Sequence, residues 1–194
     1  MAGSNVKITN CNVRSNQACN GGGGLAFRSS YAEVRECRVC NNRSTLAYGQ
    51  SSGGGIYIQT ARGIIVSRTV IDNNGCNNNG GGIFVNAVNS NPVQNCRIEN
   101  CVVTNNKAGE YGIGIATTNN DLLVTNTILT LNQDTTLTGN VSYGVKAANC
   151  VMTVRYSAFY ANADSRDYPS GSSEVSIGSG VIIRDPMFLG GPPS

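Results

Sequence analysis

Residues 64–85, IIVSRTVIDNNGCNNNGGGIFV, hold one complete copy of a pattern that recurs along the chain. Ile64 and Val66 alternate with Ile65 and Ser67, the period of two that marks a strand. Asn74 follows Val66 by eight residues, and Gly82 follows Asn74 by eight more, opening a second apolar alternation at Ile83. The first interval is constant elsewhere: Ile8 to Asn16, Val34 to Asn42, Ile98 to Asn106, Val124 to Asn132 and Val154 to Asn162. The second strand is opened by Gly24-Leu25, Gly55-Ile56, Gly82-Ile83, Gly114-Ile115, Gly144-Val145 and Gly180-Val181. The spacing from Asn to that Gly varies, which places insertions at one corner. Fixed intervals separated by variable loops are what stacked coils with tolerant corners require.

Four apolar columns emerge when the copies are aligned. Val6, Ala32, Ile64, Cys96, Leu122 and Met152 form the first, and Ile8, Val34, Val66, Ile98, Val124 and Val154 the second. Val13, Val39, Ile71, Val103, Leu129 and Phe159 form the third; Leu25, Ile56, Ile83, Ile115, Val145 and Val181 form the fourth. Copies running in one direction pair in parallel, each rising by ~4.8 Å. An antiparallel sandwich would put its Asn-Gly turns between neighbouring strands, not once per coil. The chain therefore reads as all-β: a single-stranded right-handed parallel β-helix of about six coils, about 22–26 residues each. It is one domain over 1–194, with coils starting near 6, 32, 64, 96, 122 and 152. Aligned asparagines are expected to form a side-chain ladder, with Asn tolerating the left-handed corner. The glycines before the second strand are expected to supply positive φ.

Composition narrows the function. Of 194 residues only 13% are charged, the net charge is +3, 24 are glycine and none is histidine. No basic cluster points to nucleic acid and no apolar run is long enough to span a membrane. Cys11, Cys37 and Cys101 share a column with Thr69, Thr127 and Ser157, and Cys96 falls in the first apolar column, so all four read as small interior side chains. Cys19, Cys40 and Cys76 fall near one corner of three successive coils; spacing leaves a disulfide between two of them open. With no His, and Cys37-x-x-Cys40 the single close pair, no metal site is expected.

The pairing of Phe159-Tyr160-Ala161-Asn162 with Gly53-Gly54-Gly55-Ile56 and Gly80-Gly81-Gly82-Ile83 resembles the FxxN and GGA[ILV] repeats of polymorphic outer membrane proteins. Val39-Cys40-Asn41-Asn42 and Ile71-Asp72-Asn73-Asn74 are aliphatic variants of the first motif. Asp185-Pro186-Met187-Phe188 resembles a closing segment of secreted bacterial β-helix proteins, the pectate-lyase-like solenoids. The resemblance covers most of residues 6–183. It implies a bacterial protein that is extracellular or on the cell surface, in a group with many adhesins.

Function on such a fold lies on outward faces and in insertions. Tyr57 and Phe84, with Gln59 and Asn86 two residues on, are the expected ligand-binding group: aromatic faces beside amides suit sugar rings. Stabilising cross-strand packing is the competing reading of the same pair. In the longest insertion, 163–179, Asp164, Arg166, Asp167 and Glu174 are the acidic and basic residues a catalytic site would draw on, although a solvated loop carries the same composition. No cluster of three carboxylates suits calcium, and no cofactor is expected. The leading expectation is a non-catalytic surface or adhesion module that binds carbohydrate, with polysaccharide or cell-surface glycan as partner. A polysaccharide lyase or glycoside hydrolase, and a scaffold without small ligand, are the alternatives. On the outer face of the first strand, Lys7, Glu33 and Arg97, then Arg35, Glu99 and Arg155, alternate in sign and predict cross-strand ion pairs. Residues 184–194 are expected to cap the last coil. No signal peptide precedes Val6, and the open first coil suggests a longer parent protein, or two chains pairing end to end or side by side.

Overall fold

The computed structural model describes residues 5–28, 31–45, 51–59, 63–86, 96–110, 112–135, 144–160 and 174–183. One coil runs through four short strands: Ile64–Ser67, Val70–Asp72, Gly75–Cys76 and Ile83–Asn86. Corresponding strands stack in parallel into four sheets. The first and second sheets have seven strands, the third and fourth five, so all four run together over four coil-to-coil steps while two continue further. Register is constant: Val34 lies beside Val66, Val124 beside Val154, Ile83 between Ile56 and Ile115. The inward columns are those read from the sequence, and Val34, Val66, Ile71, Val103, Leu129, Ile83 and Ile115 are fully buried. Each such side chain contributes ~1.5–3 kcal/mol of burial.

Inside this apolar stack sits an amide ladder. Asn42 Nδ2 donates to Asn74 Oδ1 at 3.0 Å, Asn74 Nδ2 to Asn106 Oδ1 at 3.0 Å, and Asn106 Nδ2 to Asn132 Oδ1 at 3.0 Å. Each Oδ1 also accepts the backbone N–H of the preceding rung, as Asn74 Oδ1 does from Asn42 at 3.0 Å. Each Nδ2 spends its second proton on a carbonyl of the preceding coil, as Asn74 does on Val39 at 2.9 Å. Asn42, Asn74, Asn106 and Asn132 are buried, yet their amides are satisfied, which removes the cost of burying them. Asn162 lies outside the described residues.

The left-handed corner residue is not the ladder asparagine but the one before it: Ser15, Asn41, Asn73, Asn105 and Leu131, with φ of 48–57° at these and the preceding corner's residues. The ladder residue must instead aim its amide along the axis. The glycines also differ from expectation. Gly24, Gly55, Gly82 and Gly114 do not have positive φ; that falls to Gly53, Gly80 and Gly112. What excludes a side chain at Gly55 is the next coil's backbone together with the ladder, because a Cβ there would lie 2.7 Å from the Gly82 carbonyl and 3.0 Å from Asn74 Nδ2. Gly82 stands in the same relation to Gly114 and Asn106.

A second interior ladder runs through the cysteine column. Cys37 N–H donates to Thr69 Oγ1 at 3.3 Å, Cys101 N–H to Thr127 Oγ1 at 3.4 Å and Thr127 N–H to Ser157 Oγ at 3.1 Å. The side chains in turn donate two residues back, Thr69 Oγ1 to Ser67 O at 2.9 Å and Cys101 Sγ to Glu99 O at 3.2 Å. Cysteine here does the work of a hydroxyl. All eight cysteines are free. Cys19, Cys40 and Cys76 do not meet at one corner: Cys40 pairs in register with Asp72 before the asparagine corner, while Cys76 pairs with Ser44 after it.

Two boundaries change near the end of the chain. Glu174–Ile177 is not part of a long insertion but a seventh strand of the first sheet, with Val175 beside Met152 and Ile177 beside Val154. Val181 accordingly does not join the fourth column, since the strand it precedes, Ile182–Ile183, pairs with the second sheet and sets Ile183 beside Phe159. The expected cap, 184–194, lies outside the described residues.

Replacing Asn74 by Ala should cost about 3 kcal/mol or more in urea unfolding, because the buried donors of Asn42 lose their acceptor. Asn16→Ala, at an exposed rung, should cost about 1 kcal/mol or less; equal losses would refute the ladder's role. Burial pushes the Cys76 thiol up to about 12 and the Cys101 thiol up to about 11, from an ordinary 9.0. The folded state therefore keeps these protons where the unfolded chain has lost them, so their stabilisation is complete below pH 9.0 and falls as pH rises toward 12. Urea midpoints at about pH 8 and about pH 10.5 should differ in that direction, and less so in Cys76→Ala.

Candidate functional site

The fourth sheet brings Tyr57 and Phe84 side by side in register, their ring centroids 5.8 Å apart and tilted by 33°. The Arg28 guanidinium carbon lies 6.0 Å from the Tyr57 ring centre. Gln59 and Asn86 are likewise register partners, both partly exposed. The face is nevertheless not open. Phe84 is only 8% exposed and Ala116, next in the column, 1%. The cover is the left-handed glycine turn: Cβ atoms built on Gly53, Gly80 and Gly112 would fall 2.9, 2.8 and 2.7 Å from the Cβ atoms of Tyr57, Phe84 and Ala116. Glycine lets the chain fold down over its own outward side chains. The expectation of two exposed rings thus fails for Phe84, and the pair packs as cross-strand neighbours.

Asp164, Arg166 and Asp167 lie outside the described residues. Glu174 begins a strand whose backbone pairs beside Val151. Among the described residues, no three of Cys, Asp and Glu are grouped to hold a metal ion.

The outer face of the first sheet carries the most developed surface. Lys7, Glu33, Ile65, Arg97 and Leu123 stand in one outward column, and Thr9, Arg35, Ser67, Glu99 and Thr125 in the next. Glu33 is held by two cations, with Lys7 Nζ at 3.3 Å across the coils and Arg35 Nε at 2.8 Å along its own strand. Arg97 Nε lies 3.5 Å from Glu99 Oε1, again along the strand. Cross-strand pairing is therefore only part of the pattern expected from the alternation; Lys7–Glu33 and, on the second sheet, Arg38–Asp72 at 3.2 Å follow it.

The two along-strand pairs point in opposite senses. Glu33 and Arg35 lie on one side of a neutral row, Ile65 and Ser67, while Arg97 and Glu99 lie on the other. The charged rows are thus two coil steps apart, ~9.6 Å. A cleft of about 410 Å³ opens at the Ile65 end of this row, toward the start of the strands, lined by Lys7, Tyr31, Glu33, Ile65 and Arg97 among others. Tyr31 is 46% exposed at its edge. Ser67 Oγ is buried and has no hydrogen-bond partner among the described residues. Sequence reading had these columns and their outward sense. It missed the site because Tyr31, one residue before the first column, carries no repeat mark.

Against known proteins, the sequence matches the family described as a right handed beta helix region over residues 1–129. No curated protein and no solved structure matches it. Parallel coils, constant register and this match over most of the chain agree: the chain belongs to the right-handed β-helix family.

Proposed function

We propose that this chain is a non-catalytic carbohydrate-binding module of the surface or adhesion type, working outside the cell, with its ligand seated on the outer face of the first sheet. The observation that carries the reading is the neutral Ile65–Ser67 row set between two oppositely oriented ion pairs beside the exposed Tyr31. A sugar ring offers an apolar C–H face and hydroxyls that both donate and accept. Tyr31 and Ile65 suit the first, and Glu33 and Arg97 the second.

Catalysis is less well served by this face. Glycoside hydrolysis asks one carboxyl to deliver a proton and another to accept one. Glu33 and Glu99 are each engaged by a guanidinium of their own strand, and they lie two coil steps apart on opposite sides of the neutral row.

Screening the protein against a panel of polysaccharides and oligosaccharides should find retained ligands. Tyr31→Ala and Arg97→Gln should each weaken the best of them by about tenfold, a loss of ~1.4 kcal/mol, and both should shift stability by no more than ~0.5 kcal/mol. A panel with no retained glycan, or unchanged affinity in both variants, would sink the reading.

A further inference from the structure

A separate feature lies at the corner between the second and third sheets. The outward positions of the third sheet read Gln17, Arg43, Gly75, Lys107 and Gln133, in register. Arg43 and Lys107 thus flank a glycine, their backbones two coil steps or ~9.6 Å apart. Both are exposed, and neither has an ion-pair partner among the described residues. A cavity of about 350 Å³ opens here, with Asn41, Asn73, Asn77 and Thr135 beside the two cations.

Gly75 is unlike the other glycines of the coil. A Cβ on it would meet nothing nearer than the Lys107 carbonyl at 3.9 Å, and its φ is not positive. Neither the backbone nor the ladder requires glycine at this position. What its missing side chain does is leave a notch between two cations. Asp72, which lines the adjoining cavity with Lys107, is already engaged by Arg38 at 3.2 Å and by Asn105 Nδ2 at 3.2 Å. Its charge is offset before any ligand arrives.

We infer that Arg43 and Lys107, across the Gly75 notch, form a binding site for a tetrahedral oxyanion, a sulfate or phosphate ester group of a larger ligand. A tetrahedral group presents oxygens toward both sides of the notch, so a guanidinium and an ammonium approaching from opposite coils each find one. A carboxylate, with both oxygens at one end, engages one cation well and the other poorly. The site stands apart from the sugar-binding reading of the first sheet and does not depend on it.

The test is a titration of the ¹⁵N-labelled protein with sodium sulfate at constant ionic strength, followed by amide correlation spectra. Saturable shifts are expected at Arg43, Asn73, Gly75 and Lys107, reproduced by inorganic phosphate and weaker with acetate. Gly75→Val fills the notch while keeping both charges, and should abolish the shifts with the thermal midpoint retained. Arg43→Gln and Lys107→Gln should each weaken binding by about fivefold, the effect of one exposed charge-assisted contact. Tyr31→Ala should leave the shifts unchanged, which separates this site from the proposed glycan cleft. Non-saturating shifts spread over the whole protein, or saturable shifts that persist both in Gly75→Val and in the double Arg43→Gln, Lys107→Gln variant, overturn the inference. A sulfated and a phosphorylated form of one oligosaccharide then identify the carrier; competition with inorganic sulfate by either upholds the site, and competition by neither overturns it.

Discussion

Every rung of the asparagine ladder makes the same demands on the coil around it. An amide buried among Val39, Ile71 and Val103 is tolerable only if both its oxygen lone pairs and both its protons are used. That requires the next coil to present another asparagine at the same height, and the preceding coil to present a carbonyl in the same place. Register, coil height and the direction of the chain at the corner are all fixed by this one requirement. A slip of a single residue would bring an aliphatic side chain to the amide and leave several buried polar atoms unpaired.

From the ladder the rest of the coil follows. The left-handed residue immediately before each rung turns the chain so that the amide points along the axis, and its own N–H still reaches the next coil, as Asn73 N–H reaches Thr104 O at 3.1 Å. The glycines facing the ladder have no room for a Cβ, so the return strand must pass the corner as bare backbone. The cysteine and threonine column repeats the solution at the neighbouring corner with a smaller side chain. The interior is thereby filled and satisfied, and chemistry is left to outward columns whose side chains the ladder does not specify.

Much of this was legible in the chain because it repeats. The eight-residue interval located the asparagines, and alternation assigned the inward columns from Ala32 and Val34 through Phe159, while Val6 and Cys11 in the first coil are exposed. The roles inside the corner were less readable. Adjacent asparagines such as Asn73 and Asn74 look alike in sequence, and only the backbone shows that one takes the strained conformation while the other forms the rung. The last coil was missed for a related reason. Eight residues beyond Ile177 stands Asp185, not asparagine, so the mark that identified every other coil is absent. The candidate sites were least legible. Phe84 is outward by alternation yet covered by a turn whose geometry no spacing reveals, and the cleft beside Tyr31 depends on ion-pair directions that residue types alone leave free.

The ladder also has a sense. In every rung from Asn16 to Asn132 the amide nitrogen belongs to the earlier coil and the oxygen to the later one. Five amide dipoles are therefore aligned head to tail along the axis, in the manner of a short internal wire with an oxygen at its early end. Hydrogen bonds in such a series polarise one another, so each rung strengthens its neighbours and the stack is more than a sum of pairs. The same alignment is a selection rule for association. Two such stacks set oxygen to oxygen would repel, whereas one laid on in the same sense would continue the series. A solenoid of this kind can be extended in its axis only by a coil that arrives with the same polarity.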